Sequence, residues 1–140
     1  MKISARNVLA GTVRKVEKGA VNGEVALSLS GGETVVAIIT NSSIETLGLA
    51  TGKPAFVIVK ASDVMIGKGL DSAKLSARNV LAGEVASVTD GAVNSEVVIR
   101  FPGGTEMVAS ITKASVQALG LAKGDKASAV VKASNVLIGV

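Results

Sequence analysis

The chain contains no cysteine and no histidine. The first absence excludes a disulfide framework, a thiolate-held metal and a cysteine nucleophile. The second removes the commonest general base near neutral pH and the commonest metal ligand, and with them a Ser-His-Asp triad or a histidine-ligated zinc hydrolase. Tryptophan and tyrosine are missing too, and Phe56 and Phe101 are the only aromatic residues among 140. A protein that stacks nucleic acid bases on aromatic side chains would have almost nothing to stack them on. No apolar run approaches the roughly 20 residues that cross a bilayer. The N-terminus is charged at Lys2 and Arg6 and lacks the apolar stretch of about 7–15 residues found in a secretory signal. A cytoplasmic protein without membrane contact is therefore expected.

What is present is aliphatic. Hydrophobic residues make up 48% of the sequence, so Val, Ile, Leu and Ala must fill the core, and the β-branched ones among them favour strands. Sixteen Gly against two Pro point to many tight turns.

The chain also repeats itself. Ser4-Ala5-Arg6-Asn7-Val8-Leu9-Ala10-Gly11 returns unchanged as Ser76-Ala77-Arg78-Asn79-Val80-Leu81-Ala82-Gly83, an offset of 72 residues. The same offset carries Gly19-Ala20-Val21-Asn22 onto Gly91-Ala92-Val93-Asn94, Leu47-Gly48-Leu49 onto Leu119-Gly120-Leu121, and Val59-Lys60-Ala61-Ser62 onto Val131-Lys132-Ala133-Ser134. Two copies of this length are too few and too long for a solenoid. They predict two domains, 1–68 and 74–140, joined by a linker at 69–73.

Each copy reads as strands with one short helical turn. In the first copy, strands are expected at 8–17, 24–30, 34–40, 53–60 and 64–66, with Gly31-Gly32 as a hairpin signal. Residues 41–48 read as a short helix, started by Ser42 or Ser43 and ended by Gly48 in a left-handed cap. The expected fold is all-β, two tandem OB-like Greek-key β-barrels. A barrel of under about 70 residues without disulfide, metal or large aromatics buries too little apolar surface to be stable alone. Burial between repeats and between chains is expected to make up the difference.

Two polar segments interrupt the apolar pattern, Ser-Ala-Arg-Asn at the start of each repeat and Lys-Ala-Ser near its end. Ser4, Arg6, Lys60 and Ser62, with Ser76, Arg78, Lys132 and Ser134, form two sets of hydrogen-bond donors without a carboxylate. Such sets suit a fully deprotonated dianion, and hydrogen phosphate, whose proton needs an acceptor, is expected to bind least. The four cations equal the whole net charge of +4, leaving no basic stripe to follow a nucleic acid backbone. The Gly-Ala-Val-Asn segments have two readings. One is a turn in which Gly19 and Gly91 supply positive φ while Asn22 and Asn94 bond to local backbone; the other is a second anion site. Glu24 and Glu96 read as strand-surface ion-pair partners, and Thr40 and Thr112 as helix caps or additional hydroxyl ligands.

Taken together, Ser-Ala-Arg-Asn, Gly-Ala-Val-Asn-x-Glu-Val, Ile-Thr-x-x-Ser, Leu-Gly-Leu and Val-Lys-Ala-Ser resemble the molbindin (Mop) family, in its tandem two-domain cytoplasmic form, across both repeats. The resemblance implies OB-like barrels, a homotrimer, and storage of molybdate or tungstate at interfaces without catalysis, organic cofactor or directly bound cation. It also implies a main site built from Ser4, Ala5, Arg6, Asn7, Lys60, Ala61 and Ser62, with Ser76, Ala77, Arg78, Asn79, Lys132, Ala133 and Ser134. A second site type would use Gly19, Ala20, Val21 and Asn22, with Gly91, Ala92, Val93 and Asn94. Asp63, which becomes Asn135 in the second copy, argues against equal affinity in the two repeats. The competing function is a nucleic-acid-binding OB module, which the lack of aromatics disfavours. An enzyme would have to work through Lys, Ser or carboxylates, and no paired carboxylates are visible.

Overall fold

The structure is a computed structural model covering residues 1–140. In the first copy the strands are β1 (Asn7–Lys18), β2 (Asn22–Leu29), β3 (Thr34–Thr40), β4 (Pro54–Val59) and β5 (Met65–Gly67). In the second they are β6 (Asn79–Asp90), β7 (Asn94–Arg100), β8 (Glu106–Thr112), β9 (Lys126–Val131) and β10 (Leu137–Gly139). The short helices α1 (Asn41–Thr46) and α2 (Lys113–Leu119) follow β3 and β8, and 3-10 turns at Ala61–Asp63 and Ala133–Asn135 follow β4 and β9. The expected all-β architecture with one helical turn per repeat is what the chain adopts.

The sheets do not follow the sequence division at 68/74. One has the order β10-β4-β1-β2-β3 and the other β5-β9-β6-β7-β8, all antiparallel. Each repeat thus gives its last strand to the other repeat's sheet, with Met65 opposite Val130 and Leu137 opposite Ile58. The cause is local. Lys60 (φ −67°, ψ 137°) and Val64 (φ −94°, ψ 120°) are both extended on either side of the 3-10 turn, and no residue between them has the positive φ that tight two-residue hairpins use. The chain leaves β4 instead of folding back on it. The turn at 61–63 packs on β8, and the turn at 133–135 on β3.

β1 and β6 are long because each pairs on both sides: 7–12 with β4 and 11–18 with β2 in the first half. A register shift between Val13 and Lys15, matched between Val85 and Ser87, bends each strand from one neighbour to the next. The interiors join in one cluster of 25 buried apolar residues drawn from both repeats. The two Gly-Gly hairpin tips also meet, since a Cβ placed on Gly103 would lie 1.8 Å from the carbonyl oxygen of Gly31. Only a residue without a side chain fits there.

Of the two cap readings, the threonine one is realised. Thr40 and Thr112, not Ser42 or Ser43, occupy the N-cap positions, and their hydroxyls accept the N–H of Ser43 and Ser115 at 3.0 and 3.1 Å. Ser43 is the third helical residue, where the free N–H to be capped lies. Gly48 and Gly120 have φ of 60° and 59° at the helix ends, as the left-handed cap requires. Lys68, whose counterpart is Val140, secures the linker by donating to Gly120 O and Asp125 Oδ2 at 3.1 and 3.0 Å. That hydrogen bond holds the Asp125 carboxyl below its ordinary pKa.

Two buried asparagines stitch the halves together. Asn79 Nδ2 donates to Val36 O and its Oδ1 accepts Val36 N–H, both at 2.8 Å. Asn7 repeats this with Val108 at 2.8 and 2.7 Å. Each amide thus satisfies a backbone N–H and C=O on the opposite half's β3 or β8. Truncating one leaves two part-buried backbone groups unpaired, each costing about 1–3 kcal/mol. Asn79→Ala is therefore expected to lower stability by about 2 kcal/mol or more, read as a shift of the urea midpoint; an unchanged midpoint would mean that the stitch contributes nothing.

Candidate anion-binding site

The β1–β4 ladder ends at the pair Asn7 and Val59, and the β6–β9 ladder at Asn79 and Val131. Continuing the antiparallel register by one residue sets Arg6 opposite Lys60 and Arg78 opposite Lys132. The two polar segments, more than fifty residues apart in sequence, are therefore neighbours in the fold. Ser4, Arg6, Lys60 and Ser62 are exposed, as are Ser76, Arg78, Lys132 and Ser134, while the intervening Ala5, Ala61 and Ala77 are half-buried and Ala133 is buried. Lys60 and Lys132 form none of the six ion pairs in the molecule. The 3-10 turn that begins after each lysine leaves its leading N–H groups without partners inside the turn.

Three features depart from the sequence reading. Asn7 and Asn79, placed among the ligands, are 2% exposed and commit their amides to the stitches described above. Second, the donor sets are not free of acceptors. Arg6 Nη1 lies 2.7 Å from both carboxylate oxygens of Glu96, and Arg78 Nη1 pairs with Glu24. The expected ion-pair role of Glu24 and Glu96 is therefore realised, but across the two repeats and onto the site arginines. With a carboxylate in each set, discrimination against hydrogen phosphate no longer follows from a lack of acceptors.

Third, Gly19 and Gly91 do not have positive φ. Glycine is needed because each N–H closes a turn onto the carbonyl oxygen of Asn22 or Asn94 at 2.8 Å, where a Cβ would come within 2.7 and 2.5 Å of that oxygen. The side chains of Asn22 and Asn94 form no hydrogen bond to local backbone; Asn41 Nδ2 donates to Gly19 O instead, at 2.8 Å. Ala20 and Ala92 are exposed, and Val21 and Val93 at the turn tips are 72% and 73% exposed.

The strand exchange also mixes residues of the different site types. A cleft of about 350 Å³ is lined by Ser62 and Met65 from the first repeat and by Asn94, Ser110, Thr112 and Ser115 from the second. Thr112 enters it already bonded to Ser115 as a cap, and Thr40 is bonded in the same way to Ser43. A smaller cleft, about 270 Å³, lies beside the first turn between Gly19, Asn22 and Glu24. No group of three or more Asp or Glu side chains gathers as a cation site.

The TOBE domain model matches twice, at residues 3–66 and 75–138. The whole chain is 44% identical to the molybdenum-pterin-binding protein MopA of Rhodobacter capsulatus, covering 53% of that protein. A single repeat is 48% identical over 66 residues to molybdenum-pterin-binding protein 3 of Clostridium pasteurianum, covering 97% of it. The chain thus spans about half the length of the longer curated relatives it matches. Among solved structures it superposes with TM-score 0.96 and 48% identity on the cytoplasmic molybdate-binding protein ModG in a molybdate-bound form, covering 100% of this chain and 99% of that one. The chain belongs to the TOBE domain family, in which it is a tandem two-domain member of the molbindin type.

Proposed function

We propose that the chain binds molybdate or tungstate at the Ser-Ala-Arg/Lys-Ala-Ser junctions and acts as a store or buffer, without transforming the anion. The observation that carries this reading is the register, which ends at Asn7–Val59 and Asn79–Val131 and, continued by one residue, sets Arg6 against Lys60 and Arg78 against Lys132, each pair flanked by serines in sequence. A guanidinium and an ammonium from adjacent strands supply two positive charges, enough to match a tetrahedral dianion, while the hydroxyls orient it. Relatives named for molybdenum or molybdate binding support the choice of anion. Without His or Cys there is no conventional base or nucleophile at the junction. A solved relative described as cytoplasmic supports that location, and no helix is long and apolar enough to cross a membrane.

Self-association as a homotrimer belongs to the same proposal. Paired residues in an antiparallel sheet share a face, so Val8, Phe56, Ile58 and Leu137 line the outer side of one sheet. Val80, Val130 and Met65 line the corresponding side of the other. Val8, Phe56, Leu137, Val80 and Met65 remain 37–51% exposed in the single chain. These rows, with the valine-tipped turns, offer the apolar area that such small barrels need to bury. Native mass spectrometry with and without molybdate tests assembly and stoichiometry together. A trimer that gains several anions is expected, and a stable monomer at micromolar concentration would exclude it.

Arg6→Ala and Arg78→Ala are each expected to weaken the sites built from that repeat by more than about tenfold, since charge-assisted hydrogen bonds contribute about 1.5–3 kcal/mol each. Calorimetric titration of the double variant with molybdate measures this. Wild-type affinity in a folded double variant would rule out the assignment.

A further inference from the structure

Building on that reading of the site, we infer that Glu96 and Glu24 are internal competitors for the site arginines, carboxylate latches that an incoming oxyanion must displace. The two contacts are reciprocal. Arg6 of the first repeat is held by Glu96 on β7 of the second, and Arg78 of the second by Glu24 on β2 of the first. The glutamates are themselves 72 residues apart and identical, although nearby residues differ, Gly23 against Ser95 just before them and Ala26 against Val98 two residues after. In this chain the Arg–Glu pairing has outlasted changes on both sides of it.

The form of the contact favours competition over orientation. Both Glu96 oxygens converge on the single nitrogen Nη1, instead of engaging two nitrogens in the parallel fork that fixes a guanidinium in one plane. The pair is also open to water, with Arg6 and Glu96 side chains 58% and 38% exposed and Arg78 and Glu24 50% and 37%. Exposed ion pairs of this kind are weak, worth at most about fivefold in an equilibrium constant. An anion that reaches both the arginine and the unpaired lysine opposite has two cations to bond, whereas the glutamate reaches one. It can therefore displace the latch, and when it leaves, the carboxylate returns to the guanidinium. A site built in this way binds less tightly than its donors alone would allow, and it empties without leaving the arginine unpaired.

The test compares tungstate affinity in the full chain, by calorimetry carried to millimolar anion, for wild type, Glu24→Gln/Glu96→Gln, Arg6→Ala/Arg78→Ala and the fourfold combination. Glutamine keeps the shape and removes the charge, so the glutamine pair is expected to tighten binding roughly two- to fivefold. In the arginine-less background the same pair should change affinity less than about twofold, because the competition has lost its object. Glu17→Gln, which removes a carboxylate paired only with Lys15, should leave affinity unchanged. Weaker binding in the glutamine pair would mean that the glutamates position the arginines, and would overturn the latch. A gain that persists without the arginines would assign the effect to the general field, and would overturn it too. If instead the arginine variants bind as wild type does, the site reading fails and not the latch alone.

Discussion

The three-residue turn after β4, repeated after β9, carries the chain off its own sheet, and the rest of the molecule is arranged around that exit. Because Lys60 and Val64 are both extended, β5 can find hydrogen-bond partners only on β9, and β10 only on β4. Neither barrel is then complete without the other repeat. This answers the size problem of a domain of under about 70 residues, since the buried apolar cluster is one body drawn from both copies. The Asn7 and Asn79 amides reinforce the exchange by satisfying backbone groups on the opposite half. Unfolding one half would expose the other's last strand and two unpaired amides, so the two halves should unfold as one cooperative unit.

The same exit also creates the electrostatic character of the site. Like charges directly opposite each other on neighbouring strands repel, and the register continued one residue past Asn7 and Val59 sets Arg6 against Lys60. Something negative is therefore stabilised there, and the fold supplies a first candidate in Glu96, brought from the other repeat by the packing of the halves. On the proposed reading a dianion is the stronger occupant, because it bonds both cations where the glutamate bonds one.

Much of this was legible from residues alone. The 72-residue repeat, the strand positions and the polar segments are local properties of the sequence. Thr34–Thr40 matches the expected third strand residue for residue, and the other strands shift by a few residues at their ends. The exchange of β5 and β10 was not legible, because a repeat that pairs within itself and one that pairs with its neighbour carry the same hydrophobic pattern. The roles of Asn7 and Asn79 were hidden for a related reason: an amide beside an arginine in a block repeated unchanged reads as a ligand until its 2.8 Å bond to the opposite strand is known. Glu24 and Glu96 were recognisable as ion-pair partners, yet which cation they meet depends on how the two halves pack, which no local pattern encodes. Gly19 and Gly91 show that a glycine in a turn need not mean positive φ; there the demand is for space against a carbonyl oxygen.

Duplication within one chain has a further consequence that a single-repeat protein cannot have. In an assembly of identical repeats every junction is the same, whereas here the two copies have diverged around a common geometry. At the first junction Arg6 and Lys60 are accompanied by Glu96 and by Asp63, one residue beyond Ser62, so two cations stand against two carboxylates. At the second, Arg78 and Lys132 are accompanied by Glu24 alone, because Asn135 replaces the aspartate. The turn is otherwise unchanged: Asp63 N–H and Asn135 N–H both bond to the preceding lysine carbonyl at 2.9 Å, and the backbone angles at its two ends agree within a few degrees. The difference between the junctions is therefore one of charge and not of shape. On the proposed reading of the junctions, equal scaffolds with unequal charge predict two grades of affinity for the same anion, with the second junction filling first.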